Sequence, residues 1–268
     1  MTAQSRSEIA GLLERHGLAP IHRLGQHFLA DANITRKIVA LAGVGAGSKV
    51  VEVGAGTGTL SRALAEAGCH VVGYEVDGGL RPVLEEVTSG LDVDLRFADV
   101  TKVDFESDLE GDGWVMVSNL PYNVGTPVIL EALQSAPSIV RFVVMVQREV
   151  ALRLTARPGS HDYGLPSVVA GIHADARLGF DVPRQVFFPP PSVESTVVVM
   201  DRNPAPPDAG RAIELARAGF GQRRKMLRRS LGTVLDDPVD VLAGAAIDPT
   251  LRAEALSPED WLRLASAS

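Results

Sequence analysis

Lys49–Val53 carries three valines in five residues and runs straight into Gly54-Ala55-Gly56-Thr57-Gly58. Thr59–Ala67 follows with the apolar spacing of a helix. A strand that becomes a helix across alternating glycines belongs to few architectures. Glycine lets the backbone take conformations and approach distances closed to other residues, and the helix N-terminus then faces whatever sits on the turn. The dinucleotide-binding fingerprint places its third glycine three positions after the second; here it comes after two, so a plain tight turn is the competing reading. The rest of the chain keeps the same rhythm. Val71–Glu75, Asp92–Phe97, Trp114–Asn119 and Arg141–Val146 read as strands, with helices predicted over Thr126–Ser135 and from Arg148 onward. Strands alternating with helices imply an α/β fold with a parallel sheet and right-handed crossovers.

The N-terminal stretch Ser5–Gly17 reads as an amphipathic helix with Ile9, Leu12 and Leu13 on one side, and Asp31 or Asn33 can cap a helix running to Ala42. From Ala170 the alternation fades. Val182–Pro191 is proline-rich, Thr196–Met200 is a last strand, and Arg202–Gly210 has three prolines and no apolar run, as a linker does. Arg211–Leu235, Pro238–Ala243 and Pro258–Ala265 then read as helical. The expected division is a sheet domain over 1–201 and a small all-α domain over 202–268, within the reach of a 268-residue chain. Cys69 is the only cysteine, which excludes intrachain disulfides and cysteine-based metal clusters. Met1–Ala10 has no signal-peptide pattern and no apolar run approaches a membrane span, so a cytoplasmic enzyme is expected. A net charge of −7 argues against indiscriminate coating of nucleic acid and leaves room for a local basic patch.

Ligands of open α/β sheets bind at the carboxyl ends of the strands. Four consecutive predicted strand ends here carry chemistry: the glycine turn, Glu75, Asp99 and Asn119. A carboxylate at the position of Glu75 can accept both hydroxyls of a ribose. Asp99 can take an adenine amine, or serve as a helix cap. After Asn119, Pro121 biases Leu120 toward extended backbone, so the chain leaves the strand with the Asn119 side chain and the Leu120 carbonyl as two acceptors. Tyr122 adds an aromatic face. Two acceptors beside a stacking ring suit a planar base with an exocyclic amine. Gripping both N–H groups turns the amine's lone pair out of conjugation and aims it at an electrophile.

These features resemble the Rossmann-like S-adenosylmethionine-dependent methyltransferases, and within them the ribosomal RNA adenine N6,N6-dimethyltransferase family. The resemblance is carried by Leu24-Gly25-Gln26-His27-Phe28-Leu29, Glu52-Val53-Gly54-Ala55-Gly56-Thr57-Gly58, Asn119-Leu120-Pro121-Tyr122-Asn123 and Met145-Val146-Gln147-Arg148-Glu149-Val150. Pro158-Gly159-Ser160, Asp162-Tyr163-Gly164, the stretch from Phe187 to Ser195 and Arg223-Arg224-Lys225-Met226-Leu227-Arg228 continue it in order. It implies S-adenosylmethionine as cofactor, held by His27, Leu29, Gly54, Gly56, Gly58, Glu75, Asp99 and Asn119, with no metal. It further implies that Asn119, Leu120, Pro121 and Tyr122 form the catalytic segment. Tyr122 and Phe187 sandwich the target adenine, with Phe188 taking that place if Phe187 points into the core. The implied substrate is a pair of adjacent adenines near the 3′ end of small-subunit ribosomal RNA, within a small-subunit particle, and the implied state is a monomer. Gly125 stands where the family usually has serine, and Leu165-Pro166 where it has Arg-Leu; both bear on loop geometry.

Arg217, Arg223, Arg224, Lys225, Arg228 and Arg229 fall within thirteen residues that contain no acid. In a chain of net −7 that imbalance points to phosphate contact. The alternative is a solvated helix face. Two other functions fit parts of the same pattern. One is a large-subunit adenine methyltransferase of the macrolide-resistance type, and the other a non-catalytic RNA-binding assembly factor.

Overall fold

The computed structural model describes residues 4–268; Met1–Ala3, the start of the expected first domain and of the Met1–Ala10 segment, lie outside it. Seven strands form the central sheet: β1 (Lys49–Val53), β2 (His70–Glu75), β3 (Val93–Phe97), β4 (Trp114–Asn119), β5 (Ile139–Gln147), β6 (Ala174–Val182) and β7 (Ser195–Arg202). Their order is β3-β2-β1-β4-β5-β7-β6. The pairs β1·β2, β1·β4, β2·β3 and β4·β5 are parallel, and β7 runs antiparallel to β5. In β1 and β4 most positions are buried, because both faces of a central parallel strand are covered. Strand β3, at the sheet edge, keeps Asp94 exposed.

Helices α1 (Arg6–Arg15), α2 (Ala32–Ala42) and α3 (Thr59–Glu66) pack in this part of the chain. Ser5 caps α1 in a capping box with Glu8, and Ile9, Leu12 and Leu13 are its buried face. Of the two candidate caps for α2, Asp31 is the one used: its side chain accepts from the Asn33 and Ile34 amides. One core cluster brings α2 and α3 onto Val50, Val71, Val117 and Val143 of the sheet. A second joins Ile9 and Leu13 of α1 to Phe28, Ala55, Leu80 and Leu84.

Two structural features were not legible in sequence. Helix α4 (Leu165–His173) leads directly into β6, and neither was expected. The predicted helix over 211–235 is broken instead: α5 spans Ala209–Gly221, residues 222–226 form a turn, and a short helix resumes at Leu227–Ser230.

The chain divides into two compact units, Met1–Ala151 with Arg177–Asp201, and Leu152–Ala176 with Arg202–Ser268. The expected boundary near 201 therefore coincides with one crossing, while Leu152–Ala176, expected in the sheet domain, groups with the C-terminal helices. In that second unit α4 and α5 pack with a helix over Pro258–Ser266. Tyr163 packs edge-on against Phe220 and Phe220 lies tilted against Trp261, with centroids 5.9 and 6.2 Å apart, and the Tyr163 hydroxyl donates to the Leu256 carbonyl at 2.8 Å. No helix among the described residues is long and apolar enough to cross a membrane.

Candidate active site

The strand order reverses between β1 and β4, and that is where a crevice opens in a sheet of this kind. A cavity of about 320 Å³ lies there. Its lining draws on the segments after four strands: Gly54 and Gly56 after β1, Val76 after β2, Asp99 after β3, and Leu120, Pro121 and Tyr122 after β4. Glu75 and Asn119, the last residues of β2 and β4, complete it with His27 and Gln26 from the loop before α2.

The glycine turn is held from two sides. Gly54 and Gly56 have φ of 78° and 59°. A side chain on Gly54 would meet the Pro121 ring at 3.0 Å, and one on Gly56 the Phe28 ring at 3.0 Å. Gln4 clamps the far side, donating to the Thr57 carbonyl at 2.9 Å and accepting from the Thr57 and Thr59 hydroxyls. Glu75 is nearly buried, and its two oxygens accept from the Gly56 amide at 2.8 Å and the Asp77 amide at 2.9 Å. These bonds fix the carboxylate and leave lone pairs on both oxygens. Burial raises its pKa, an effect the two amide bonds offset in part. Asp99 caps the turn at Val100–Lys102 and also lines the cavity. The Thr101 hydroxyl, at 2.7 Å, is the main reason its pKa is lowered.

The catalytic segment is pinned by backbone and side chain. Leu120 N–H donates to the Met145 carbonyl at 3.0 Å, and the Leu120 side chain is buried. Its carbonyl has no donor among the described residues. The Asn119 side-chain nitrogen donates to the His27 carbonyl at 3.1 Å. Because a carbonyl only accepts, that contact fixes which end of the amide is nitrogen and leaves Oδ1 as the acceptor. Tyr122 lies against the His27 imidazole, with centroids 5.5 Å apart and planes tilted by 31°. Burial raises the Tyr122 pKa.

Nine of the predicted site residues thus line one cavity: His27, Gly54, Gly56, Glu75, Asp99, Asn119, Leu120, Pro121 and Tyr122. Gly58, Leu29 and Phe187 do not. Gly58 precedes α3 and faces Val87 and Leu84. Leu29 and Phe187 are paired in a two-residue antiparallel ribbon, Phe28–Leu29 with Phe187–Phe188. Side chains alternate faces along such a ribbon. Leu29 and Phe187 therefore point together into the sheet-side core, Phe187 at 0% exposure. Phe28 and Phe188 point the other way, and Phe188 stays half-buried. Phe187, buried in that core, is not open as an adenine-stacking face, and Phe188, though it points the other way, does not line the cavity either. Gln26, Val76 and Asn123 line the cavity without having been singled out. Val76, beside Glu75, is 52% exposed, an apolar surface open in a polar rim.

In the C-terminal unit the predicted basic residues lie on and after α5. Arg217 is exposed on that helix, and Arg224, Lys225, Arg228 and Arg229 are exposed on and after the turn. Arg223 differs, pairing with Glu254 at 3.0 Å and donating to the His161 carbonyl.

A family model described as ribosomal RNA adenine dimethylase matches residues 21–267. The chain belongs to that family. It is 44% identical to ribosomal RNA small subunit methyltransferase A of Phenylobacterium zucineum (strain HLK1), over 100% of this chain and 94% of that protein. It is 42% identical to the protein of the same name from Leifsonia xyli subsp. xyli (strain CTCB07), covering 97% and 96% of the two. Among solved structures, a dimethyladenosine transferase from Plasmodium falciparum superposes with a TM-score of 0.75 at 22% identity, covering 89% of this chain and 96% of that one. The 23S rRNA methyltransferase ErmE superposes with a TM-score of 0.68 at 24% identity, covering 90% and 98%. Both share the fold, a Rossmann-like sheet with helices.

Proposed function

We propose that this family member uses S-adenosylmethionine to methylate adenine N6 in small-subunit ribosomal RNA, most simply two adjacent adenines near its 3′ end. The convergence of four strand ends on one cavity carries the reading. The names of relatives 44% and 42% identical over nearly the whole chain favour the small-subunit substrate.

The lining suits the cofactor. Glu75, fixed by two amides, has lone pairs for a ribose diol; Val76 gives an apolar surface for a purine, and Asp99 an acceptor for its amine. S-adenosylmethionine, when bound, supplies an electrophilic methyl on a sulfonium that departs as a neutral thioether. Asn119 Oδ1 and the Leu120 carbonyl accept the two N6–H groups of the target and turn its lone pair out of the ring. Tyr122 covers one face of the base. The adenine must leave its stack to reach them, at a cost of a few kcal/mol that is lower in a loop. Arg224, Lys225, Arg228 and Arg229 hold phosphates elsewhere on the RNA. The enzyme acts as a monomer, in the cytoplasm, on a small-subunit particle.

The test is incubation of the protein with labelled S-adenosylmethionine and small-subunit particles lacking these methyl groups, followed by mass spectrometry of nucleosides. N6,N6-Dimethyladenosine in small-subunit RNA is expected. Label in large-subunit RNA alone would favour the macrolide-resistance type, and no label with intact RNA binding would favour an assembly factor. Asn119→Ala removes the acceptor that orients N6. Its turnover at saturating RNA and cofactor should fall about a hundred-fold or more while RNA affinity holds. Near-normal turnover would remove Asn119 from the catalytic segment.

A further inference from the structure

Ser195, the first residue of β7, has no role in the reading above. It is fully buried, at 0% exposure, and its Oγ sits 2.7 Å from the Tyr122 hydroxyl. A fully buried hydroxyl that finds its partner on a cavity-lining ring holds that ring, because losing the bond leaves the buried hydroxyl to find another partner or none. The opposite contact of the same ring is also fixed. His27 lies against Tyr122, and its Nδ1 is 2.8 Å from the Pro189 carbonyl; a carbonyl only accepts, so Nδ1 carries the hydrogen there. The His27 carbonyl in turn accepts from Asn119. Ser195 is itself placed by the sheet, in register with Gln147 at the end of β5.

We propose that Ser195 is a positioning residue for methyl transfer: its hydrogen bond to the Tyr122 hydroxyl, with His27 packed on the ring, locks the angle at which Tyr122 presents its face to the target adenine. This rests on the reading of Tyr122 as a base-stacking residue. Ser195 touches neither substrate nor cofactor. Its loss acts on the rate of a correctly loaded complex and leaves cofactor binding alone.

The test is a double-mutant cycle read by single-turnover methyl transfer at saturating RNA and cofactor, using full-length protein. Ser195→Ala and Tyr122→Phe each remove the same bond from one side. Each should slow transfer about three- to ten-fold, the range a single hydrogen bond allows. The double variant should be no slower than the worse single variant, and S-adenosylmethionine affinity by calorimetry should stay at the wild-type value in all three. Thermal melts identify a variant that has lost its fold, and the other single variant then carries the comparison. Wild-type rates in both single variants, or penalties that multiply in the double, would overturn the brace. Tyr122→Ala separates the two levels of the argument. If it is strongly impaired while Ser195→Ala is not, the stacking role stands and the brace falls. If Tyr122→Ala transfers at the wild-type rate, both fall.

Discussion

Glu52 shows how far a single residue can depart from its solution chemistry. It is 1% exposed on β1, with the Ser61 hydroxyl donating to it, and its pKa is pushed up to about 8, chiefly by burial and further by the nearby Glu75. In the unfolded chain the same carboxyl titrates near 4.5. Between these values the folded state holds a proton that the unfolded state has released, so stability falls as pH rises through that window. For one group the slope approaches ~1.4 kcal/mol per pH unit. Glu52→Gln keeps an acceptor for Ser61 and cannot ionise. Its melting temperature should drop less than that of the wild type between about pH 5.5 and pH 7.5. Parallel profiles would show that Glu52 does not hold that proton. Sequence alone could not give this. It exposed Glu75, Asp99 and Asn119 because they end predicted strands, whereas the state of Glu52 depends on what covers it. Phe187 and Phe188 illustrate the same boundary: adjacent aromatics are visible in the sequence, but only the pairing with Phe28 and Leu29 decides which one faces inward.

At the scale of elements, the glycine turn couples strand β1 to the catalytic segment, and two of its glycines do different work. Gly54 and Gly58 both have φ of 78°, which costs a residue with a Cβ about 1–2 kcal/mol. Their surroundings differ. A Cβ on Gly54 meets Pro121 and the Asn119 carbonyl, while one on Gly58 meets the side chains of Val87 and Leu84. Alanine at either position should destabilise the fold by about 1–3 kcal/mol. Only Gly54→Ala should also weaken S-adenosylmethionine binding, by about ten-fold or more, because it displaces the segment that lines the cavity. Equal losses of cofactor affinity at both positions would show that the turn responds as one unit. These turn and strand signals are local and strong, which is why β1 to β5 were legible. Strand β6 was not. Its sequence, Ala174-Asp175-Ala176-Arg177-Leu178-Gly179-Phe180-Asp181-Val182, mixes charges into an edge position where most residues are at least partly exposed, so no apolar run marks it. Helix α4 just before it begins after Gly164 with Pro166 in its first turn, a start signal that the change of rhythm obscured.

For the whole molecule, the chain crosses between its two compact units more than once, and a linker signal marks only one of the crossings. The proline-rich stretch after 201 is visible in composition; the assignment of Leu152–Ala176 to the helical unit depends on contacts with α5 and the last helix, which no local pattern reports. Charge distribution is the other whole-molecule property. An acidic chain, at net −7, gathers a cluster of exposed cations on and after the turn that follows α5, with Arg228 near the Asp248 carboxylate. The structure refines which of them are available. Arg223 is engaged by Glu254 and the His161 carbonyl, whereas Arg224, Lys225, Arg228 and Arg229 are exposed. If these four meet phosphates, replacing all of them by glutamine should reduce the slope of log affinity against log salt by about three units, since each contact contributes roughly 0.7–0.9. Affinity for S-adenosylmethionine should not change. Arg223→Gln should instead lower the melting temperature and leave the slope nearly unaltered, because its role is to join the turn to the segment around Glu254. A titration of RNA binding across salt concentrations separates the two. An unchanged slope in the fourfold variant would make the cluster a solvated face, and a full unit lost with Arg223 alone would mean its ion pair opens to take a phosphate.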